Sequence, residues 1–143
     1  MNSGLFYPCL AMMVLTLIVL VRMFLTRVFA LKKKSVKMSY FKTYESKKTN
    51  DDSLPREMLQ ASRNFTNLFE VPTLFYMICI FGTLFKLVDS TNIILAWLYV
   101  LFRIIHSIVH LTSNHVTQRM IFYALSWIVL TSMGIRIFIA LSF

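Results

Sequence analysis

The sequence predicts an all-α integral membrane protein, a single bundle of four spanning helices over residues 1–143. Three observations carry that prediction. Hydrophobic residues make up 57% of the chain and charged residues 15%, with a mean hydropathy of +0.67; a soluble domain has about 25% charged and 45–50% apolar residues. Apolar runs approaching or exceeding the ~20 residues that a bilayer requires recur along the chain, divided by polar segments. The formal net charge of +9 is localised, with nine of the fifteen Lys and Arg lying between Lys32 and Arg63. A localised basic excess suits membrane topology and anionic headgroups. With no groove-reading motif and no soluble basic domain, a nucleic-acid partner is not expected.

The first helix is placed at about residues 5–31. Leu5 to Val21 is free of charge and broken only by Pro8. The charges Arg22, Arg27 and Lys32-Lys33-Lys34 follow the apolar core, the reverse of a secretory signal, so an uncleaved spanning helix is expected. Residues 32–54 read as a Lys-rich loop. Pro55 suits the first turn of a second helix over about 55–86, with Asp52 or Ser53 as cap. Pro72 lies inside that helix and should kink it. Asp89 to Asn92 supply cap candidates for a third helix over about 92–112, where Trp97 and Tyr99 fit an interfacial aromatic belt. Ser113-Asn114-His115 is a turn. The fourth helix, about 116–141, ends near Arg136, whose long side chain can reach the interface. The positive-inside rule puts the 32–54 loop in the cytoplasm and both termini on the other side.

Two polar stripes interrupt the apolar pattern. Arg63, Asn67 and Glu70 share one face of the second helix, with Glu70 roughly 10 Å deeper than Arg63. Arg103, His106, Ser107, His110 and Asn114 share one face of the third, with Arg103 roughly 15 Å below the 113–115 turn. A carboxylate at such depth needs a partner, and a Glu70–Arg103 ion pair flanked by Asn67 and His106 is the least costly arrangement. A buried pair can also serve only to fix helix register. The wider set, with Arg119 and Tyr123, gathers many cationic donors in one half of the membrane against an almost purely apolar opposite half. That asymmetry points to an anionic ligand near the cytoplasmic face.

Other motifs carry less. His106 and His110 stand four apart but lack the ligand number of a zinc site, so no metal is expected. No acidic residue follows Asp89, which argues against a Ser-His-Asp triad. Cys9 and Cys79 read as small buried hydrophobes. Asn64-Phe65-Thr66 matches a glycosylation sequon but falls at the cytoplasmic side or in the membrane.

The elements Arg63-x-x-x-Asn67-x-x-Glu70-x-Pro72, Arg103-x-x-His106-Ser107-x-x-His110 and Arg119-x-x-x-Tyr123 together resemble the MAPEG family, the membrane-associated proteins in eicosanoid and glutathione metabolism, and most nearly a bacterial-type member. The likeness covers nearly the whole chain. It implies a homotrimer with glutathione, as co-substrate, between neighbouring subunits. It further implies that Arg63, Asn67 and Glu70 hold the glutathione backbone and amino group, and that Arg103 and His106 complete a polar floor, with His110 beside them. Arg119 would stand at the sulfur as the catalytic residue, and Tyr123 would pack on the tripeptide. Two positions depart from the pattern: His110 replaces a Tyr found in several members, and Met120 replaces a Ser assigned to catalysis in the prostaglandin E synthase branch. The first-helix Arg that often reaches glutathione has no certain match; Lys32, Lys33 or Lys34 can substitute, with Arg22 a deeper candidate.

The leading expectation is a glutathione transferase or peroxidase acting on lipophilic electrophiles that arrive from the bilayer. The alternative is a membrane interaction or regulatory protein that keeps the fold without turnover. A small transporter is a third possibility, disfavoured because the apolar half offers no through-path.

Overall fold

A computed structural model describes residues 3–41 and 54–142. The expected caps Asp52 and Ser53, and Lys42, Lys47 and Lys48, lie outside the described residues. A 3-10 turn at Ser3–Leu5 leads into α1 (Phe6–Lys32), and a second at Met38–Phe41 follows it; then come α2 (Arg56–Leu84), α3 (Ser90–Leu111) and α4 (Val116–Ser142). All four helices are long and apolar enough to cross a membrane. Even α3, with 22 residues, reaches ~33 Å at the α-helical rise, slightly more than a ~30 Å hydrocarbon core. Large apolar side chains such as Phe24, Ile80 and Phe138 remain exposed on the outer surface, the inverse of a soluble protein and the pattern expected where lipid is the solvent.

Consecutive helices run antiparallel. α1 packs chiefly on α2 and α3 chiefly on α4. The core between them is built from Met12, Val19, Leu68, Phe75, Val100, Leu130 and Met133. Tyr99 is fully buried there and stacks on Phe75 with ring centroids 4.4 Å apart. This corrects the expectation that Tyr99 belongs to an interfacial belt; Trp97, two residues away on the other face, is the exposed member. α2 continues through Pro72 as one helix.

The helix ends follow local chemistry. Asp89 caps α3, its Oδ1 accepting from the Asn92 backbone N–H at 2.7 Å, so α3 starts two residues earlier than the sequence suggested. Pro55 stands just before the first helical residue of α2. After α1, α2 and α3 the chain turns through Lys34, Lys86 and Asn114, each with φ between 50° and 58°. There the backbone N–H groups of Ser35, Leu87 and Asn114 close on the carbonyls of Ala30, Gly82 and Val109, as expected of left-handed C-terminal caps. A satellite cluster of Ala30, Val36, Leu54 and Met58 pins the segments flanking the Lys-rich loop to the ends of α1 and α2.

The end of the bundle near the α2–α3 turn is more polar than the sequence implied. Arg136 of α4 pairs with Asp89 at 2.7 Å and donates through Nε to Asn92 Oδ1 at 3.1 Å. Arg136 thus locks α4 to the start of α3 rather than simply extending toward the interface.

Candidate functional site

At the opposite end, the two polar stripes meet. Asn64, on the buried face of α2, accepts from Ser107 of α3 through Oδ1 at 3.3 Å. One turn further on, Asn67 receives Arg103: Nη2 donates to the Asn67 backbone oxygen at 3.1 Å and to its Oδ1. Arg103 is wholly buried, and its Cζ lies 5.9 Å from the Tyr123 ring centroid of α4.

The expected Glu70–Arg103 ion pair is not formed. The reason is helical phase. At ~100° per residue, the buried stripe of α2 through Asn64, Leu68, Val71 and Phe75 passes Asn67 at its edge and leaves Glu70 on the outer side. Glu70 is accordingly exposed, and so is Arg63. The three residues do form one stripe, but Glu70 turns outward from the bundle, Arg63 stands in the cavity wall beside His110, and Asn67 bonds to α3.

Around this contact a cavity of about 280 Å³ is lined by Arg63, Asn67, His106, His110, Arg119, Met120 and Tyr123. A second, of about 340 Å³, adjoins it through shared walls at Arg63, His110 and Arg119, and adds Arg56, Gln60, Ser113 and Asn114. Of the residues expected at the site, Arg63, Asn67, His106, His110, Arg119 and Tyr123 line the first cavity. Arg103 lies behind that wall and Glu70 outside it.

Each wall residue has a structural reason for its position. His106 is held through Nδ1 against the Arg119 carbonyl at 3.0 Å, and its ring neighbours those of His110 and Tyr123 at 5.8 and 5.9 Å. Arg119 lies in the first turn of α4, where its Nη1 donates to Asn114 Oδ1 at 2.6 Å. Asn tolerates the left-handed conformation better than most residues and here also aims a guanidinium. Several buried polar atoms find no partner within the described residues: His110 Nδ1, Arg119 Nε, and Nε and Nη1 of Arg103. Unsatisfied buried polar groups are costly. Those of His110 and Arg119 belong to cavity walls and are groups that a bound acceptor could complete.

The first-helix cations take other work. Arg22 Nη2 donates to the Leu111 carbonyl at the end of α3 at 3.4 Å, and Arg27 Nη2 to Ser62 Oγ at 3.3 Å. Lys32, Lys33 and Lys34 are exposed beyond them. Arg56 and Gln60 are wall residues that the sequence reading passed over, although their spacing extends the Arg63–Asn67 stripe upward. No group of three or more potential metal-binding side chains occurs among the described residues.

Four helices long and apolar enough to cross a membrane, with a cationic cavity at one end, define an integral, multi-pass membrane protein. Over residues 5–139 the chain matches the model of the MAPEG family, and it belongs to that family. No curated protein and no solved structure gives a significant match.

Proposed function

We propose that this chain is a glutathione-dependent membrane enzyme, a transferase or peroxidase acting on lipophilic electrophiles delivered by the bilayer. The observation that carries the proposal is the cavity where Arg63, Asn67, His106, His110, Arg119 and Tyr123 converge at one end of a bundle of apolar helices. Family membership adds that glutathione is the expected ligand. The residues suit it. Glutathione has two carboxylates, and Arg56, Arg63 and Arg119 supply guanidinium groups along the two adjoining cavities. Their combined size falls in the ~300–1,000 Å³ range of small-molecule sites.

When bound, glutathione supplies a thiol that reacts as thiolate. Arg63 and Asn67 bind carboxylate and peptide groups, and Tyr123 packs on the tripeptide. Arg119 stands at the sulfur and favours its ionisation by adjacent positive charge. Arg103 acts through Asn67, whose amide it orients. Glu70 faces away from its own cavity, which suits a homotrimer in which it holds the ammonium of a ligand shared with the neighbouring subunit. The Lys-rich segment favours a cytoplasmic position for this end of the bundle, with both termini on the other side.

Calorimetric titration of glutathione into detergent-purified protein, together with thiolate absorbance near neutral pH, tests the proposal. The expected result is saturable binding with a thiolate band that Arg119→Ala abolishes. Absence of binding at millimolar glutathione in an intact assembly refutes it.

A second reading is favoured by Met120, which lines the cavity, and by the engagement of Arg119 with Asn114. On that reading the site binds an anion without turning it over, and the protein acts as a membrane interaction partner. Binding without a thiolate band, and without conjugation of a generic electrophile, is its signature.

A further inference from the structure

Cys9 and Cys79 lie far from the cationic cavity, near the other end of the bundle. Cys9 is in the first turn of α1 and Cys79 in the second-last turn of α2. Because the two helices are antiparallel, these positions fall at one level. The two side chains are neighbours: Cys9 packs against the core cluster that holds Cys79, the two thiols interact, and neither is in a disulfide. The Tyr76 side chain is close to both.

The pair is asymmetric. Cys79 is 2% exposed, sealed among core residues. Cys9 is partly exposed, on a helix face that also presents Phe6, Leu10 and Met13. Core filling alone requires neither a second sulfur opposite the first nor a path from one of them to the outside. A reagent that approaches Cys9 over this face meets apolar side chains, which favours an apolar oxidant over a charged one.

We propose that Cys9 and Cys79 form a dithiol that lipid hydroperoxides convert to an intramembrane disulfide, with Cys9 reacting first and Cys79 resolving. In the first step the Cys9 sulfur attacks the terminal peroxide oxygen. The O–O bond breaks, the alcohol leaves with the thiol proton, and Cys9 becomes a sulfenic acid. In the second step the Cys79 sulfur attacks the Cys9 sulfur, the S–O bond breaks, and the Cys79 proton leaves with the hydroxyl as water. One hydroperoxide is reduced by two electrons, and the two thiols become one disulfide. The product ties α1 to α2 covalently. The proposal is independent of the glutathione site.

The test uses the full chain in lipid nanodiscs exposed to a fatty-acid hydroperoxide, followed by non-reducing peptide mapping. The expected product is a Cys9–Cys79 linked peptide within one chain, two hydrogen atoms lighter than its parts, formed in proportion to alcohol released. Cys79→Ser should stop at a sulfenic acid on Cys9 that a dimedone-type probe captures. Cys9→Ser should leave Cys79 as free thiol through the same exposure. Helical content and particle size verify that each variant folds, and alanine variants replace serine ones if either fails. Both thiols remaining alkylatable in treated wild-type protein would overturn the proposal. So would disulfides found only between chains, or a Cys79 that oxidises as fast without Cys9 as with it.

Discussion

The contact between Arg103 and Asn67 yields a prediction whose two halves differ sharply. Asn67→Ala removes the Oδ1 acceptor but leaves the backbone oxygen, which still receives Nη2 at 3.1 Å. A hydrogen bond to a charged group contributes about 1.5–3 kcal/mol, and the guanidinium it leaves behind is fully buried with Nε and Nη1 already unpartnered. The expected loss is about 2 kcal/mol. Arg103→Met deletes both hydrogen bonds and the approach to Tyr123. It also withdraws an ion whose burial carries a penalty of several kcal/mol, and it fills similar volume with an apolar chain. Asn67 is only half-buried, so water can satisfy its freed oxygen. The variant should therefore fall within about 1 kcal/mol of wild type. The double variant should match Arg103→Met alone, giving a coupling energy of about 1.5–2 kcal/mol. Reversible unfolding in mixed detergent micelles, followed by tryptophan fluorescence, measures all four corners of the cycle. If Arg103→Met costs about 3–5 kcal/mol, as loss of one member of a satisfied buried pair does, or if coupling is below about 0.5 kcal/mol, the account of Arg103 as an under-partnered buried cation is wrong.

Further outcomes follow from the same geometry. Asn114→Gly keeps the left-handed turn but frees Arg119, so stability should hold while glutathione binding by calorimetry weakens about tenfold, equivalent to about 1.4 kcal/mol; Asn114→Ala should add a backbone strain of about 1–2 kcal/mol, seen in the unfolding midpoint. Lys86, at φ 58°, should gain about 1 kcal/mol on replacement by Gly, whose backbone accepts that conformation. Asp89→Ala should lose about 1 kcal/mol as a missing cap, whereas Arg136→Ala should lose less, because its ion pair with Asp89 is 43% and 51% exposed and such pairs contribute about 0–1 kcal/mol. The same unfolding assay ranks the two.

The architecture was readable because lipid imposes a severe pattern: runs that long and apolar form helices able to cross a membrane. The spacing of each stripe along its own helix was also readable, since residue separation fixes it. Phase across the bundle was not. Arg63, Asn67 and Glu70 share a face by arithmetic, but which edge of that face meets α3 depends on how α2 is rotated, and a few tens of degrees decide whether Asn67 or Glu70 meets Arg103. Tyr99 and Trp97, two residues apart, take opposite faces by spacing alone, and the rotation of α3 decided that Tyr99 is the one in the core. The Asp89–Asn92–Arg136 cluster was hidden because Arg136 stands 44 residues from Asn92 and 47 from Asp89, and only the closed bundle brings it to them. Arg56 and Gln60 continue a spacing that was visible, and weighing the amphipathic start of α2 together with its membrane part would have found them.

Arg22 has a consequence for how the protein is made. Its carbonyl acceptor on Leu111 lies 89 residues downstream. A helix synthesised that far ahead of its partner therefore enters the bilayer with a cation whose acceptor does not yet exist. Until the third span has been synthesised and docked, that guanidinium has to borrow phosphate or water from the membrane edge. Release of the loan by helix docking makes α3 a determinant of where α1 finally settles, although α1 is threaded first.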